Sequence, residues 1–287
     1  RTGTAGGTLK HTAYGISGLM IRLPDKNLSE ATLAALAGYQ QDVDGAGGYA
    51  EQVDKAKAIW PSRRRNQPFN EVKSVLTEMC SGARRCGYCE DSMADEIEHI
   101  WPKDFYPERT FVWSNYLYAC GPCNGPKNNQ FAIFPDTDPE QVKELGHPET
   151  GPVQPPPGKS VLIDPRLEDP LQYLWLDVTG TFVFTPMEND KNTVNWKRAN
   201  YTIDVLNLNS RDALIEARRS AYGSYRSRLY EYVNRMANGA APEQLQRIEA
   251  EIKRERHPTV WREMKRQQAL IPALRELFEQ VPQALNW

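Results

Sequence analysis

Two pairs of cysteines, each spaced Cys-x2-Cys, constrain the fold of this chain more than any other feature. Cys86 and Cys89 form the first pair, and Cys120 and Cys123 follow about thirty residues later. Four thiolates at this spacing are typical of one tetrahedral zinc site that is closed to further ligands. An iron–sulfur cluster or a redox dithiol is also compatible with the spacing, but paired knuckles favour zinc. The sequence therefore predicts a structural Zn²⁺ that holds the intervening segment in place.

Composition is that of an ordinary globular protein. The chain has 287 residues, of which 40% are apolar and 25% charged, and its formal net charge is −2. No run reaches the ~18 consecutive apolar residues of a membrane span, and no secretory signal is recognisable. The fifth cysteine, Cys80, is interpreted as a buried inert thiol, so the cysteines fit metal binding in a reducing compartment. A cytoplasmic protein without a membrane partner is expected.

An acid–histidine pair, Glu98 and His99, lies between the two cysteine pairs. A lone histidine is more often structural than catalytic, but this one is surrounded by carboxylates. If Glu98 and Asn124 supply oxygen ligands, they suit a hard ion such as Mg²⁺ or Mn²⁺. A neutral imidazole beside such an ion can take a proton from an attacking water, while the ion offsets charge on a scissile phosphate. The pair therefore predicts a metal-dependent nuclease.

The arrangement resembles the HNH endonucleases, which use a ββα-metal fold. The residues that carry this resemblance are Glu98-His99, Asn115 and the sequence Cys120-x2-Cys123-Asn124-x2-Lys127. Many relatives have a third histidine where this chain has Asn124, which favours a single hard metal at the catalytic centre over zinc.

The resemblance implies a role for each matching residue. His99 is the expected general base, and Glu98 and Asn124 are the expected ligands of the catalytic ion. Asn115 is expected to brace the hairpin loop through hydrogen bonds to its backbone, which keeps His99 aimed. Lys127 is an expected phosphate contact.

A narrower resemblance, to the PtuB family of HNH subunits in Septu-type anti-phage systems and related retron systems, runs from about Met20 to about Arg219. It is carried by Glu-His-Ile-Trp-Pro-Lys103, Phe111-x-Trp-x-Asn115, Leu162-Ile-Asp-Pro165 and Thr202-Ile-x-x-Leu-Asn-Leu-Asn209. Such proteins act beside PtuA, an ATPase of the ABC/SMC kind. The resemblance therefore implies a bacterial defence nuclease that works with a PtuA-like ATPase.

The predicted fold is mainly α with a small α+β core. Residues 1–19 are expected to be a disordered extension, with Met20 as the natural start, and residues 20–80 form a helical segment. Residues 81–135 contain the zinc-stapled ββα-metal core, residues 136–160 a proline-rich linker, and residues 161–287 a helical region.

Several elements are predicted in more detail. Ser29 caps a helix through about Gln41, a second helix at 49–60 is stopped by Pro61, and a third covers 69–80. Strands are predicted around Ile97 to His99 and at 111–113. A long helix runs from about residue 210 to about residue 236, with Arg218, Arg219, Arg226 and Arg228 opposite its apolar stripe.

Basic residues raise an alternative that the sequence leaves open. Arg63–Arg65 and Arg84-Arg85 flank the predicted site, where they either steer a phosphate or form an exposed loop without a role. The arginines of the long helix could contact nucleic acid or an acidic partner surface, and basic residues outnumber acidic ones over 196–287.

Duplex DNA is the favoured substrate, and RNA, including tRNA, stays open because the core contacts a phosphate. Two other functions remain: a catalytically silent zinc module that binds nucleic acid or protein, and an adaptor whose helices dock an ATPase. The intact acid–histidine–asparagine set argues against both, since neither function requires it.

Overall fold

The computed structural model describes residues 22–287, so the predictions made for residues 1–19 and for Met20 lie outside the described residues. About half of the described residues are helical, and three small antiparallel sheets lie between the helices. Across this range, every helix is too short or too polar to cross a membrane.

Three helices form the N-terminal part: α1 (Glu30–Asp44), α2 (Tyr49–Arg63) and α3 (Pro68–Met79). The Ser29 side chain accepts a hydrogen bond from the Thr32 amide, as expected of an N-cap. The prediction that Pro61 stops the second helix is wrong. The Arg64 amide still donates to the Trp60 carbonyl at 3.1 Å, so the helical backbone continues past the proline.

A two-stranded hairpin followed by a short helix occupies the segment between the cysteine pairs and just beyond it. Strand β1 (Glu96–His99) pairs antiparallel with β2 (Tyr116–Ala119), so that His99 lies opposite Tyr116, and α4 (Gly121–Lys127) follows. The second strand was predicted at 111–113, which is wrong. Trp113 begins a 3-10 turn there, in which the Tyr116 amide donates to the Trp113 carbonyl, and the Trp113 indole N–H donates to the Lys26 carbonyl at 3.0 Å.

Two further small sheets follow. Strand β3 (Ala132–Pro135) lies between β4 (Lys143–Glu144) and β5 (Gly158–Ser160), so short strands lie within the segment 136–160 that was expected to be a linker. Strands β6 (Leu174–Leu176) and β7 (Phe184–Pro186) form the next hairpin.

The C-terminal part is helical, as predicted, with α5 (Val194–Val205), α6 (Asp212–Ala237), α7 (Pro242–Arg254), α8 (Pro258–Gln267) and α9 (Pro272–Gln280). The stripe on α6 is buried in the main core, where Tyr225 stacks on Trp261 of α8 with ring centroids 5.3 Å apart. Helices α7, α8 and α9 therefore pack along α6.

The predicted exposure of Arg218 is wrong. Only 2% of this residue is exposed, and its guanidinium donates to the Phe182 carbonyl at 3.1 Å and to the Leu208 carbonyl at 2.8 Å. Arg218 lies one turn after Leu214 and so belongs to the buried face of α6. The side chain satisfies loop carbonyls that have no strand partner, which offsets the cost of burying its charge.

Candidate functional site

The four cysteines of the two pairs form one buried group. Their sulfur atoms all lie within 4.8 Å of one another, and the Cys89 and Cys120 sulfurs are 3.8 Å apart. A tetrahedral zinc–thiolate site with bonds of about 2.3 Å requires sulfur atoms about 3.8 Å apart. The prediction that the two cysteine pairs come together is thus confirmed: they form one buried group that can hold a metal such as zinc.

Backbone hydrogen bonds to strand β2 hold the segment of the first cysteine pair next to the second pair. The Gly87 amide donates to the Tyr118 carbonyl at 2.9 Å, and the Asp95 amide donates to the Ala119 carbonyl at 3.0 Å. Arg211, which precedes α6, donates to the Cys123 sulfur at 3.3 Å. A four-thiolate zinc site carries a net negative charge, so this donor offsets part of it. No local sequence pattern marks Arg211, which lies 88 residues after Cys123.

His99 ends β1 and is 7% exposed. Its Nε2 lies 2.9 Å from the Thr110 carbonyl oxygen, and because a carbonyl only accepts, Nε2 carries the proton and Nδ1 keeps its lone pair. Burial lowers the pKa of His99 to about 3, and the charges of Lys103 and Lys127 act in the same direction. The imidazole is therefore neutral at physiological pH, with a free lone pair on Nδ1.

An aromatic wall fixes the orientation of the imidazole. Trp60 of α2 packs edge-on against His99 with ring centroids 4.3 Å apart, and Tyr116 of β2 lies at 5.4 Å. The Tyr116 hydroxyl donates to the same Thr110 carbonyl at 2.8 Å. The aromatic contacts fix the His99 ring, and the Tyr116 hydroxyl fixes the Thr110 carbonyl, so the geometry of the hydrogen bond at Nε2 is rigid.

Asn115 lies at the end of the loop that joins β1 to β2 and is buried. Its amide nitrogen donates to the Trp101 carbonyl at 3.0 Å and to the Arg109 carbonyl at 2.9 Å, while its oxygen accepts from the Trp101 amide at 2.8 Å. One side chain therefore bridges both ends of the loop. These are loop-backbone hydrogen bonds of the kind that the HNH resemblance implied for this position.

Glu98 and Lys127 form a buried ion pair. Glu98 is 5% exposed and Lys127 is fully buried, with its ammonium on the carboxylate and 3.1 Å from the His99 carbonyl oxygen. Burial raises the pKa of Glu98, and the charge of Lys127 opposes that rise. This placement differs from the phosphate contact expected of Lys127, because the last turn of α4 directs the ammonium beneath β1 instead of toward solvent.

Asn124 of α4 is held by Glu96, a residue to which the sequence analysis gave no role. The Asn124 amide nitrogen donates to the Glu96 carboxylate at 2.6 Å. Among the contacts within residues 22–287, the Asn124 side-chain oxygen has no hydrogen-bond donor, so it can serve as a ligand. The strand period of two places Glu96 and Glu98 on one face of β1, and this signal could have identified Glu96.

Glu98, His99 and Asn124 meet in one polar depression, here called the His99 cleft. Its lining also includes Trp60, Arg64, Glu96, Ile97, Pro102, Lys103, Asn128 and Asn129. Asn115, Lys127 and the four cysteines lie outside the lining. The cleft thus combines an unprotonated imidazole nitrogen with carboxylate and amide oxygens, and such oxygens fit a hard divalent ion by their chemistry.

The fold and the site define a largely helical protein in which a four-cysteine metal-binding group adjoins an acid–histidine cleft. A stretch of 82 residues is 34% identical to the Septu protein PtuB of Bacillus thuringiensis. The match covers 27% of this chain and spans 28% of the length of that curated relative. No protein-family model matches the chain.

Proposed function

We propose that this chain is a metal-dependent endonuclease of the HNH class, in which β1, β2 and α4 form a ββα-metal core. The observation that carries the proposal is the state of His99. Its Nε2–H is bound to the Thr110 carbonyl, which leaves the lone pair of Nδ1 free, and its ring lines a cleft beside Glu98. Nδ1 of such a ring can act as a general base for water.

In the proposed reaction, His99 accepts a proton from the water that attacks a phosphodiester. Thr110 keeps the imidazole in the tautomer with Nδ1 free, and Asn115 fixes the loop that carries Thr110. Glu98 and Asn124 would hold the divalent ion. When bound there, Mg²⁺ or Mn²⁺ would offset charge on the scissile phosphate and on the departing oxygen.

The similarity to PtuB supports a role for this nuclease as the effector of a bacterial anti-phage system. The partner we propose is a PtuA-like ATPase of the ABC/SMC kind, and the site of action is the cytoplasm. DNA is the substrate we favour. RNA is the alternative, because the groups of the cleft address a phosphate that both nucleic acids share.

A cleavage assay tests the proposal. The purified protein, with and without the candidate ATPase, is incubated with plasmid DNA and with total RNA in Mg²⁺ or in Mn²⁺. We expect cleavage by the wild type and a loss of at least about a hundredfold for His99→Ala, as for removal of a general base. His147→Ala is the matched control, because His147 binds the Asp104 carbonyl and does not line the cleft.

Equal cleavage by the wild type and by His99→Ala would sink the proposed mechanism. Absence of cleavage under every condition would favour the adaptor function.

One observation supports that second candidate: in this structure the Lys127 ammonium already neutralises Glu98. In an adaptor this pair would be structural, and the helices alone would dock the ATPase.

A further inference from the structure

The positive charges around the His99 cleft differ in whether they are already paired. The Lys103 ammonium lies 3.3 Å from the Asp104 carboxylate, and Lys127 is buried on Glu98. Arg64 also lines the cleft. Among residues 22–287, its guanidinium has no carboxylate partner, no hydrogen-bond acceptor and no aromatic ring beneath it. Arg64 is thus the cation of the lining that is free to receive a ligand.

Arg64 is the residue directly after α2, and its amide donates to the Trp60 carbonyl at 3.1 Å. It therefore lies one helical turn after Trp60, whose ring packs on His99. The packing of Trp60 therefore fixes where the Arg64 side chain begins. The cleft consequently has one wall from the hairpin and α4 and another from the N-terminal helices.

The neighbouring arginines have different surroundings. Arg63 binds the Asp42 carboxylate at 2.9 Å and stacks over the Tyr39 ring at 4.7 Å from its centroid. Arg65 is exposed and does not line the cleft. Of three consecutive arginines, one therefore faces the cleft, and the other two are natural controls.

We propose that Arg64 binds a backbone phosphate of the nucleic acid strand that enters the His99 cleft. This inference rests on the proposed nuclease function. A phosphate entering the cleft meets the carboxylate of Glu96, which repels it and which, unlike that of Glu98, has no cationic partner within residues 22–287, so a cation without a partner is needed to hold the phosphate. A guanidinium presents paired donors that match phosphate oxygens. Arg64 thereby takes the phosphate contact that the burial of Lys127 leaves open.

The binding test uses His99→Ala as the background, so that the substrate is not consumed. Affinity for a fluorescent DNA duplex is measured over a series of salt concentrations. The slope of log K against log salt is negative, and each lost phosphate contact makes it shallower by about 0.9. We expect Arg64→Ala to make the slope shallower by that amount and to weaken binding roughly tenfold. Arg64→Lys, which keeps the charge, should keep the slope, and Arg65→Ala should change neither quantity.

Cleavage by the single variants separates this inference from the proposed function. If the wild type cleaves DNA, Arg64→Ala should raise KM more than it lowers kcat, and Arg65→Ala should match the wild type. Equal slopes and equal KM for Arg64→Ala and Arg65→Ala would overturn the role of Arg64 while leaving the nuclease intact. Absence of both binding and cleavage by the wild type would overturn the two proposals together.

Discussion

At the scale of the single residue, the chemistry depends on how His99 is enclosed. Trp60 and Tyr116 surround its ring, and the Thr110 carbonyl takes its one proton. Burial and the charge of Lys103 lower the pKa of His99 by more than the Asp104 carboxylate raises it. Desolvation therefore dominates and lowers the pKa of His99 to about 3.

This shift predicts a specific dependence of stability on pH. The pKa of His99 is about 3 in the folded state and about 6.5 when unfolded, so between these values the unfolded chain binds more protons. The free energy of unfolding is therefore retained above pH 6.5 and falls as the pH is lowered toward 3. From pH 7 to pH 5, His99 alone should cost about 2 kcal/mol.

The measurement is urea unfolding of the zinc-loaded protein at pH 7 and at pH 5, compared with His99→Gln. Glutamine keeps a donor for the Thr110 carbonyl but does not titrate. The variant should lose about 2 kcal/mol less than the wild type over this interval. An identical loss in both proteins would show that His99 protonates freely in the folded state.

At the scale of the element, the hairpin β1–β2 depends on the knuckles at its base. The strands have four residues each, which is too short for the hairpin to be stable by itself. The four buried cysteines lie at the end of the hairpin that has no connecting loop. A structural zinc site contributes binding free energy directly to folding. The metal is thus expected to hold the hairpin against α4, and with it the residues that line the cleft.

Removal of one ligand tests this dependence. Cys86→Ser should reduce bound zinc from one per chain to well below one, and should lower the free energy of unfolding by several kcal/mol, since site binding is worth roughly 10–16 kcal/mol. Cys80→Ser is the matched control, because Cys80 donates to the Leu76 carbonyl and lies outside the cysteine group. Elemental analysis and thermal unfolding measure both effects. Unchanged zinc content in Cys86→Ser would contradict the assignment.

Local patterns were sufficient to predict some of these elements. The Cys-x2-Cys spacing predicted the buried group, and the Ser29 cap predicted where α1 begins, because each pattern acts over a few neighbouring residues. The apolar run at 111–113 has strand-like composition, yet Trp113 begins a 3-10 turn and its indole binds the distant Lys26 carbonyl. The composition of the segment does not predict a contact with a residue so distant in the sequence.

Site residues divide in the same way. Glu98 and His99 could be read as an adjacent pair, and they do lie together in the cleft. The inward direction of Lys127 and the burial of Arg218 depend on which carbonyls and carboxylates surround them in three dimensions. Trp60 reaches His99 from 39 positions earlier in the chain, and no local sequence pattern marks such a contact.

At the scale of the whole molecule, Glu90 connects the first cysteine pair, Cys86 and Cys89, to the C-terminal helices. It follows Cys89 directly, is 5% exposed, and accepts hydrogen bonds from the amide and the hydroxyl of Thr259 in the first turn of α8. A carboxylate at a helix N-terminus also interacts favourably with the helix dipole. Glu90 has φ +62°, a value that favours glycine, so the backbone is strained at the residue that supplies this carboxylate.

We expect Glu90→Ala to loosen α8 without emptying the metal site. Loss of two buried hydrogen bonds should lower the free energy of unfolding by roughly 3 kcal/mol. Amide hydrogen exchange should accelerate mainly in α8 and in the residues of α6 that pack on it, while zinc stays at one per chain. Glu243→Ala, which changes an exposed acid in the first turn of α7, is the control. Acceleration spread evenly over the chain would mean that Glu90 stabilises the knuckle itself, and unchanged exchange in α8 would mean that the C-terminal helices are anchored elsewhere, through Trp261 and the α6 stripe.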